Sequence, residues 1–313
     1  MNILLTGGAG FIGSHIIEAF PKEFNFVVVD DLSTGKKENI STFKNVTFYH
    51  KSITDYSFMD ELFNRYSFDG IIHLAAIASV FKCVKDPTKS SEINFRASIQ
   101  LMEYAYKYNV QRFLFPSSAA VYGADPKLPK NEQESTTLPI STYGIDKFAS
   151  EQFLMDYTRR KKLKGTAFRL FNVYGERQDP NSPYSGVLSI FADRTIGKDQ
   201  PEVMVFGDGK QTRDFIYVKD VVSAMYTAFQ SDDMVGKVLN LGTGKETDLL
   251  EVIQLLEAYL ETNISIEFAE PRLGDIKRSV ADIKSALECD WKPTYSFEEG
   301  FKNYLNSLSN EEN

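Results

Sequence analysis

The stretch Thr6-Gly7-Gly8-Ala9-Gly10-Phe11-Ile12-Gly13 decides the fold of this 313-residue chain. The apolar run Ile3–Leu5 comes directly before it and predicts a strand, and residues 13–20 predict a helix. Glycines at this spacing allow a tight turn, a close approach of the backbone to a pyrophosphate and close packing of the helix on the strand. The N-terminus of that helix would attract the anion. Because glycines also serve ordinary turns, the motif needs a second feature.

Asp30 supplies this second feature. It ends the predicted strand Phe26–Val29 and lies 17 residues after Gly13, close to the spacing at which an acidic residue binds the ribose hydroxyls of a dinucleotide. A carboxylate there repels a 2′-phosphate, and no arginine is adjacent, so NAD is favoured over NADP. The alternative, in which Asp30 and Asp31 only end a solvated strand, is disfavoured by the glycine motif.

Apolar runs alternate with amphipathic segments through the first half of the chain, which is typical of a parallel sheet. Strands are predicted at Ile3–Leu5, Phe26–Val29, Val46–Tyr49, Gly70–Leu74, Arg112–Pro116 and Thr166–Phe171, and helices at 13–20, 57–66, 90–108 and 143–160. The fold class is therefore α/β, a Rossmann-like doubly wound parallel sheet with a smaller, partly interleaved C-terminal α/β domain. We expect a cofactor domain at 1–172, to which about 219–242 returns, and a substrate domain at 173–313.

Composition excludes several classes of protein. The chain has 35 Lys and Arg against 43 Asp and Glu, a net charge of −8, so nucleic acid is not an expected partner. Cys83 and Cys289 have neither disulfide density nor metal-ligand spacing, so no metal is expected and a reducing compartment is favoured. No apolar stretch approaches the roughly 20 residues of a membrane span, and no signal peptide is evident at Met1. We expect a cytoplasmic protein without a membrane segment.

Tyr143 and Lys147 are four residues apart in a predicted helix and therefore share one face. A lysine ammonium near a phenol lowers the pKa of that phenol from about 10, so Tyr143 could act as a base. Ser118 follows a predicted strand, at the carboxyl edge where open α/β sheets hold their sites. It could hydrogen-bond both the phenol and a substrate hydroxyl.

With these residues in place, the chain resembles the extended short-chain dehydrogenase/reductase superfamily, and within it the NAD-dependent nucleotide-sugar 4-epimerases, over essentially its whole length. The matching segments are TGGAGFIG at 6–13, VVVDDLSTG at 27–35, HLAA at 73–76, PSSAAVYG at 116–123, YGIDK at 143–147, RLFNVYGERQ at 169–178, FGDGKQTRDFIYVKDV at 206–221 and PRLGDIKRSVAD at 271–282.

The resemblance implies a set of functional residues. The catalytic group is Ser118, Tyr143 and Lys147. The NAD site is Gly7, Gly10, Phe11, Ile12, Gly13, Asp30, Asp31, Thr34, Ile53, Leu74, Ala75, Ala76, Asn94 and Lys147, with Asn94 also supporting the catalytic group. For the substrate, Ser118 and Tyr143 contact the sugar, Asn172, Arg213 and Arg272 hold the diphosphate, Val187 and Phe206 flank the uracil, Asp275 contacts the ribose, and Ser279 lies beside the sugar.

Two positions bear on the ligands. Relatives carry Asp-Ile where this chain has Ser52-Ile53, so Ser52 would make a weaker adenine contact while the Ile53 backbone is kept. Ser279 stands where epimerases restricted to non-acetylated hexoses have a tyrosine. This small residue permits an N-acetyl group, although serine also occurs there in relatives with other chemistry.

The resemblance thus implies oxidation and re-reduction at C4 of a UDP-sugar, with Tyr143 as the base. The expected substrates are UDP-N-acetylglucosamine and UDP-N-acetylgalactosamine, together with UDP-glucose and UDP-galactose, in polysaccharide biosynthesis. Two alternatives stay open, a nucleotide-sugar dehydrogenase or reductase and a noncatalytic NAD-sensing regulator. Relatives pair through two helices that correspond to about 90–108 and 143–160, so a homodimer is expected.

Overall fold

The computed structural model describes residues 1–180, 186–271 and 276–311. Its strands are β1 Asn2–Thr6, β2 Asn25–Asp30, β3 Val46–His50, β4 Gly70–His73, β5 Arg112–Ser118, β6 Gly165–Leu170, β7 Asn172–Tyr174, β8 Glu202–Phe206, β9 Thr212–Arg213, β10 Phe215–Tyr217, β11 Val238–Leu241, β12 Thr247–Asp248 and β13 Ser265–Ala269. Its α-helices are α1 Phe11–Ala19, α2 Tyr56–Arg65, α3 Val80–Lys85, α4 Pro87–Ser91, α5 Ala97–Lys107, α6 Thr142–Lys161, α7 Val187–Thr195, α8 Val218–Gln230, α9 Leu249–Leu260, α10 Lys284–Leu287 and α11 Phe297–Glu311.

Seven strands form one parallel sheet in the order β11-β6-β5-β4-β1-β2-β3. From β6 to β3 this is the strand order of a Rossmann fold, with the direction of winding changing between β1 and β4. The predicted fold class is confirmed. Strand β11 pairs with β6, which places residues 238–241 in the first sheet. The division of the chain into two domains stays a prediction.

The apolar strands are buried on both faces. Ile3 and Leu5 belong to one apolar cluster, whereas Leu4 belongs to the other, because successive side chains of a strand point to opposite faces. The cluster of Ile3 and Leu5 continues into the C-terminal part, where it includes Val203 of β8 and Leu256 of α9. This two-sided burial explains why the strands are continuously apolar.

The segment predicted as one helix at 90–108 is more complex. It consists of α4, a π-helical turn at Glu92–Arg96, and α5. A π-turn inserts one extra residue into the helix, and the apolar pattern is too coarse to reveal it. The short helix α3 was also not predicted, because its exposed Val80, Phe81 and Val84 do not form a pattern with one buried face.

Three smaller pairs of strands lie in the C-terminal part. In the described residues, β7 pairs with β10 and β8 with β13 in parallel, while β9 and β12 are antiparallel. The sequence predicted only that short strands and helices follow residue 172. In β9, Arg213 is held by its side-chain bonds to the carbonyls of Thr212 and Ile276, at 2.8 and 2.6 Å.

Candidate functional site

A cavity of about 430 Å³ lies at the carboxyl ends of β1, β2, β4 and β5. This is the edge of an open α/β sheet where ligands bind. The predicted residues that line it are Gly7, Gly10, Phe11, Ile12, Gly13, Asp30, Asp31, Thr34, Ile53, Leu74, Ala75, Ala76, Ser118, Tyr143, Lys147 and Asn172. Segments that are far apart in the sequence therefore meet in one space.

The glycine turn is packed too closely for side chains. Gly7 has a φ of +69°, which disfavours other residues, and a Cβ on it would lie 2.7 Å from the backbone nitrogen of Ala75. A Cβ on Gly13 would lie 2.6 Å from the carbonyl oxygen of Gly7. The backbone of the turn is therefore exposed at the start of α1, with no side chain covering it. At this point the positive end of the helix dipole favours a phosphate.

Asp30 both lines the cavity and holds the turn. One carboxylate oxygen accepts a hydrogen bond from the backbone of Ala9 at 3.0 Å, and the other accepts one from Leu32 at 2.9 Å. Burial raises the pKa of Asp30, and these two bonds oppose the rise. The carboxylate is therefore fixed in place at the end of β2, with further acceptor capacity for ligand hydroxyls.

The residues present fit NAD. The narrow glycine cradle suits a pyrophosphate and Asp30 suits a ribose. Two further side chains line the cavity, Arg177 and Gln178, and their buried atoms Nε and Oε1 have no hydrogen-bond partner among the described residues. Buried polar atoms normally have partners, so these atoms are placed for a polar ligand.

Ser118, Tyr143 and Lys147 are brought together by β5 and α6. The Ser118 side chain acts on the Tyr143 hydroxyl and lowers the pKa of the phenol. The Ser141 side chain caps α6 by accepting from the backbone of Gly144 at 3.1 Å. A Cβ on Gly144 would lie 2.8 Å from the carbonyl oxygen of Ala120. The first turn of α6, which carries Tyr143, therefore sits tightly on the turn after Ser118.

One expectation about Tyr143 is wrong. Burial raises the pKa of its phenol to about 12, and Lys147 does not reverse the rise. The Lys147 Nζ donates to the carbonyl of Pro116 at 2.8 Å and lies 6.0 Å from the centre of the Tyr143 ring. Burial also lowers the pKa of Lys147 to about 8. The spacing correctly placed both residues in one cavity, but it could not show how strongly burial acts on them.

Asn94 does not line the cavity, although it was expected in the NAD site. It lies buried in the π-turn, where Oδ1 accepts from the backbone nitrogen of Ile77 at 2.7 Å and Nδ2 donates to the carbonyl of Ile77 at 3.0 Å. Ile77 does line the cavity. Asn94 therefore supports the cavity wall from behind.

A buried histidine links the wall to the glycine turn. Ser98 donates its proton to the carbonyl of Asn94, so it accepts from His73 Nε2 at 2.8 Å. His73 Nδ1 then accepts from the Thr6 hydroxyl at 2.7 Å, and Thr6 Oγ1 accepts from the backbone of Ala75 at 3.2 Å. Burial, with a smaller contribution from the charge of Lys147, lowers the pKa of His73 to about 3. The ring is neutral and joins β1, β4 and α5.

A second cavity of about 540 Å³ lies beside the first. Val187, Phe206 and Arg213 line it, and Asn172 lines both cavities. Arg194 and Gln211, which were not predicted, line it as well. The apolar and cationic groups expected to hold a nucleotide diphosphate thus surround a space that adjoins the first cavity at Asn172.

Three further residues were expected to contact the substrate, namely Arg272, Asp275 and Ser279. Arg272 and Asp275 lie outside the described residues. Ser279 is half-buried and lines neither cavity. It precedes Val280, whose carbonyl accepts from the backbone of Lys130 at 2.8 Å. Ser279 is therefore next to a segment that packs on the loop after Ser118.

Several residues of the first cavity were missed by the sequence argument. They include Lys36, Ile77, Ser117, Arg177, Gln178 and Asp179. Arg177 and Gln178 lie at the end of the matching segment RLFNVYGERQ. A cationic and an amide side chain at the end of a matching segment are the sequence signal that could have identified them as cavity residues.

In the part of the chain that the structure describes, no helix is long and apolar enough to cross a membrane. Within the same ranges, no three His, Cys, Asp or Glu side chains are grouped so that they could hold a metal ion.

Comparison with known proteins gives consistent matches. Residues 3–242 match the model of the NAD dependent epimerase/dehydratase family. A curated relative, the putative UDP-glucose 4-epimerase of Methanocaldococcus jannaschii, is 36% identical over 310 residues and covers 98% of both chains. The structure of Thermotoga maritima UDP-glucose 4-epimerase with UDP-glucose superposes with a TM-score of 0.94 at 37% identity, covering 100% of both chains. That of Methanobrevibacter ruminantium UDP-N-acetylglucosamine 4-epimerase, in complex with UDP-N-acetylmuramic acid, gives 0.92 at 34% identity and covers 99% of this chain and 98% of the other.

Proposed function

The chain belongs to the NAD-dependent epimerase/dehydratase family, and from that premise we propose that it is a 4-epimerase of UDP-hexoses. Its proposed substrates are UDP-N-acetylglucosamine and UDP-N-acetylgalactosamine, and also UDP-glucose and UDP-galactose. The observation that supports this best is that Ser118, Tyr143 and Lys147 line the same cavity as the glycine turn and Asp30. Redox chemistry and proton transfer could thus occur on one sugar carbon.

When bound, NAD supplies the acceptor and donor of hydride and adds a positive charge to the cavity. With this positive charge beside it, Tyr143 would act in its phenolate form: it would take the proton of the 4-hydroxyl and return a proton to the same oxygen once the carbon has been reduced from its other face. Ser118 stabilises the phenolate. The Lys147 ammonium adds positive charge to the same buried space. The complete cycle consumes neither a proton nor a redox equivalent.

Elimination of water is not supported by the residues around Ser118. A dehydratase needs an acid beside the reacting carbon, but a 3-10 turn of Ala119–Val121 follows Ser118. Among the described residues that line the first cavity, the carboxylates are Asp30, Asp31 and Asp179. They belong to the end of β2, the loop after β2 and the segment after β7, so no acid adjoins Ser118 in the turn.

The second cavity supports a substrate held by its nucleotide. Val187 and Phe206 offer apolar surface for a flat base, and Arg213 offers a forked cation for the diphosphate. Because the two cavities meet at Asn172, a nucleotide held in the second would present its sugar to Tyr143 in the first. Epimerisation requires that the sugar turn so that the other face of C4 meets the cofactor. The nucleotide must therefore be held while the sugar is free to rotate.

Acceptance of an N-acetyl group is assigned to Ser279. The resemblance implies that residue 279 lies beside the sugar, so a tyrosine at this position would take the space that an N-acetyl group needs. The similar Methanobrevibacter enzyme is named as an epimerase of UDP-N-acetylglucosamine. We therefore expect the Ser279→Tyr variant to lose activity on the N-acetylated sugar by overpacking, and to keep activity on UDP-glucose.

The experiment is an incubation of purified protein with NAD and either UDP-N-acetylglucosamine or UDP-glucose, with the products resolved by NMR. We expect each sugar to be converted to its C4 epimer without a net change in NADH absorbance. The ratio of the two kcat/KM values should shift toward UDP-glucose in Ser279→Tyr. A net change in NADH would instead indicate a dehydrogenase or reductase, and no turnover of any UDP-sugar would favour the noncatalytic regulator. An unchanged ratio would remove Ser279 from the sugar site.

We also propose a cytoplasmic homodimer that acts in polysaccharide biosynthesis. Cys83 and Cys289 are buried free thiols, which suits a reducing compartment. The apolar residues Ile145 and Phe153 of α6 are 53% and 41% exposed, and exposed apolar surface of this kind is typical of a contact with a partner.

A further inference from the structure

The segment 175–180, which follows β7 and is called the strap below, forms part of the wall of the first cavity. Its residues Arg177, Gln178 and Asp179 line that cavity, and Arg177 and Gln178 have the buried unpartnered atoms described above. The strap comes from the chain after β7, whereas Asp30 and the glycine turn come from its first strands. Two distant parts of the chain therefore enclose the proposed NAD site.

Two contacts attach the strap to α1. The His15 ring nitrogen Nε2 lies 2.8 Å from the carbonyl oxygen of Glu176. Because a carbonyl oxygen only accepts hydrogen bonds, the ring nitrogen is the donor. Arg177 forms an ion pair with Glu18. Because α1 begins at the glycine turn, these contacts fix the strap against the element that carries the turn.

A third contact joins the strap to the loop after β2. Lys36 Nζ lies 3.2 Å from the Asp179 carboxylate, and both residues line the cavity that Asp30 also lines. The side chains are 58% and 29% exposed, respectively. The pair is accessible to solvent, so it can open at little cost, unlike the buried packing of the sheet beneath it.

We propose that the Lys36–Asp179 pair is a latch that slows the release of NAD. A dinucleotide bound along Asp30 and the glycine turn is bordered on one side by the loop after β2 and on the other by the strap. The latch joins these two borders, so the cofactor leaves when the pair opens. An enzyme that reoxidises its own cofactor in each cycle gains from such retention, because a cofactor lost in mid-cycle would leave an unfinished sugar.

The test measures the release of NADH, without any sugar nucleotide, from protein loaded with NADH and mixed in a stopped-flow instrument with excess NAD. Because exposed ion pairs are weak, Lys36→Met and Asp179→Asn are each expected to raise the release rate about two- to fivefold. The double variant should be no faster than the faster single variant, since both substitutions break one interaction. Lys37→Met, a change at the neighbouring lysine, is the matched control and should release NADH at the wild-type rate.

Salt provides a second measurement that needs no variant. Release from the wild type should accelerate as NaCl is raised, because salt screens an exposed pair, and Asp179→Asn should respond less. Unchanged rates in both single variants, rate increases that multiply in the double variant, or release from the wild type that does not depend on salt would each overturn the latch. The proposal rests on NAD binding rather than on epimerisation, so its failure would leave the proposed function intact.

Discussion

Tyr143 carries the proton transfer in the proposed reaction, and Ser118 acts on its hydroxyl. We predict that Tyr143→Phe lowers kcat by roughly 10² or more while the affinity for the UDP-sugar changes little, since only proton transfer in the transition state is lost. Turnover and substrate binding should be measured on the same preparation. Tyr106→Phe, at an exposed tyrosine of α5, is the control. A Tyr143→Phe variant that kept most of its turnover would show that another group is the base.

His73 makes the stability of the protein depend on pH. Its pKa falls from the usual 6.5 to about 3 in the folded chain. In the unfolded chain the ring binds a proton below pH 6.5, while in the folded chain it does not until about pH 3. The unfolded state therefore binds more protons in this window, and the free energy of unfolding falls as the pH is lowered through it.

We predict that His73→Gln weakens this dependence. Between pH 7 and pH 5 the wild type should lose about 2 kcal/mol of unfolding free energy through His73 alone, and the variant should lose that much less. Urea unfolding at the two pH values measures the difference. His50→Gln, at an exposed histidine, should behave like the wild type. If His73→Gln showed the same pH dependence as the wild type, the buried neutral ring would not be the source.

At the scale of elements, the close packing of α6 on the turn after Ser118 positions the catalytic group. A Cβ on Gly144 would meet the carbonyl oxygen of Ala120 at 2.8 Å, closer than such atoms approach. We predict that Gly144→Ala shifts the first turn of α6 and lowers kcat by about tenfold or more, because small displacements of a reacting group are costly. NADH binding, measured by fluorescence, should change much less.

The control for this prediction is Gln152→Ala, at an exposed residue of the same helix. It should leave kcat at the wild-type value. If Gly144→Ala were as active as this control, the contact between α6 and the turn would not set the position of Tyr143.

The elements of the sheet were the most predictable part of the fold, because strands buried on both faces read as continuous apolar runs. Strand β2, for example, extends only one residue at each end beyond the predicted Phe26–Val29. The π-turn at Glu92–Arg96 was not predictable, since one extra residue leaves the apolar pattern nearly unchanged. The short strands after residue 172 are set by contacts with distant segments, which a local pattern does not contain.

The sequence motifs predicted many of the residues that line the first cavity. The glycine, aspartate, serine, tyrosine and lysine residues of these motifs lie at turns and strand ends, where this combination has few roles other than binding a ligand. The position of Asn94 behind the cavity wall could not be predicted from the sequence, since its hydrogen bonds to Ile77 depend on the π-turn. The direction of the pKa shift of Tyr143 could not be predicted either, because the burial of the phenol depends on every element that packs around it. Lys36 and Asp179 join only in the folded chain.

At the scale of the whole molecule, pairing was expected through the helices at about 90–108 and 143–160, and the structure shows which apolar residues in and beside these helices are exposed. Leu101, Met102, Tyr104, Leu154 and Tyr157 are buried within the chain, so they belong to its core. Phe81 of α3 and Ile145 and Phe153 of α6 remain exposed, at 75%, 53% and 41%. Helices α3 and α6 contact each other, and exposed apolar side chains of this kind are typical of a contact with a partner.

We predict a homodimer by light scattering at micromolar concentration, and a shift to monomer in Phe153→Lys, because a charge would be buried in the interface. The control is Phe268→Lys, at a residue of β13 that is 56% exposed, which should remain a dimer. A monomeric mass for the wild type would contradict the pairing.

In the proposed reaction, one carbon of the sugar is oxidised and then reduced in a single cavity. The most direct measurement uses a UDP-sugar that carries deuterium at C4, incubated with the protein and NAD and followed by NMR and mass spectrometry. We expect the C4 epimer to form and to keep the deuterium at C4, because the hydride removed from that carbon is returned to it. Loss of the label to solvent, or conversion to a keto sugar with accumulation of NADH, would contradict it.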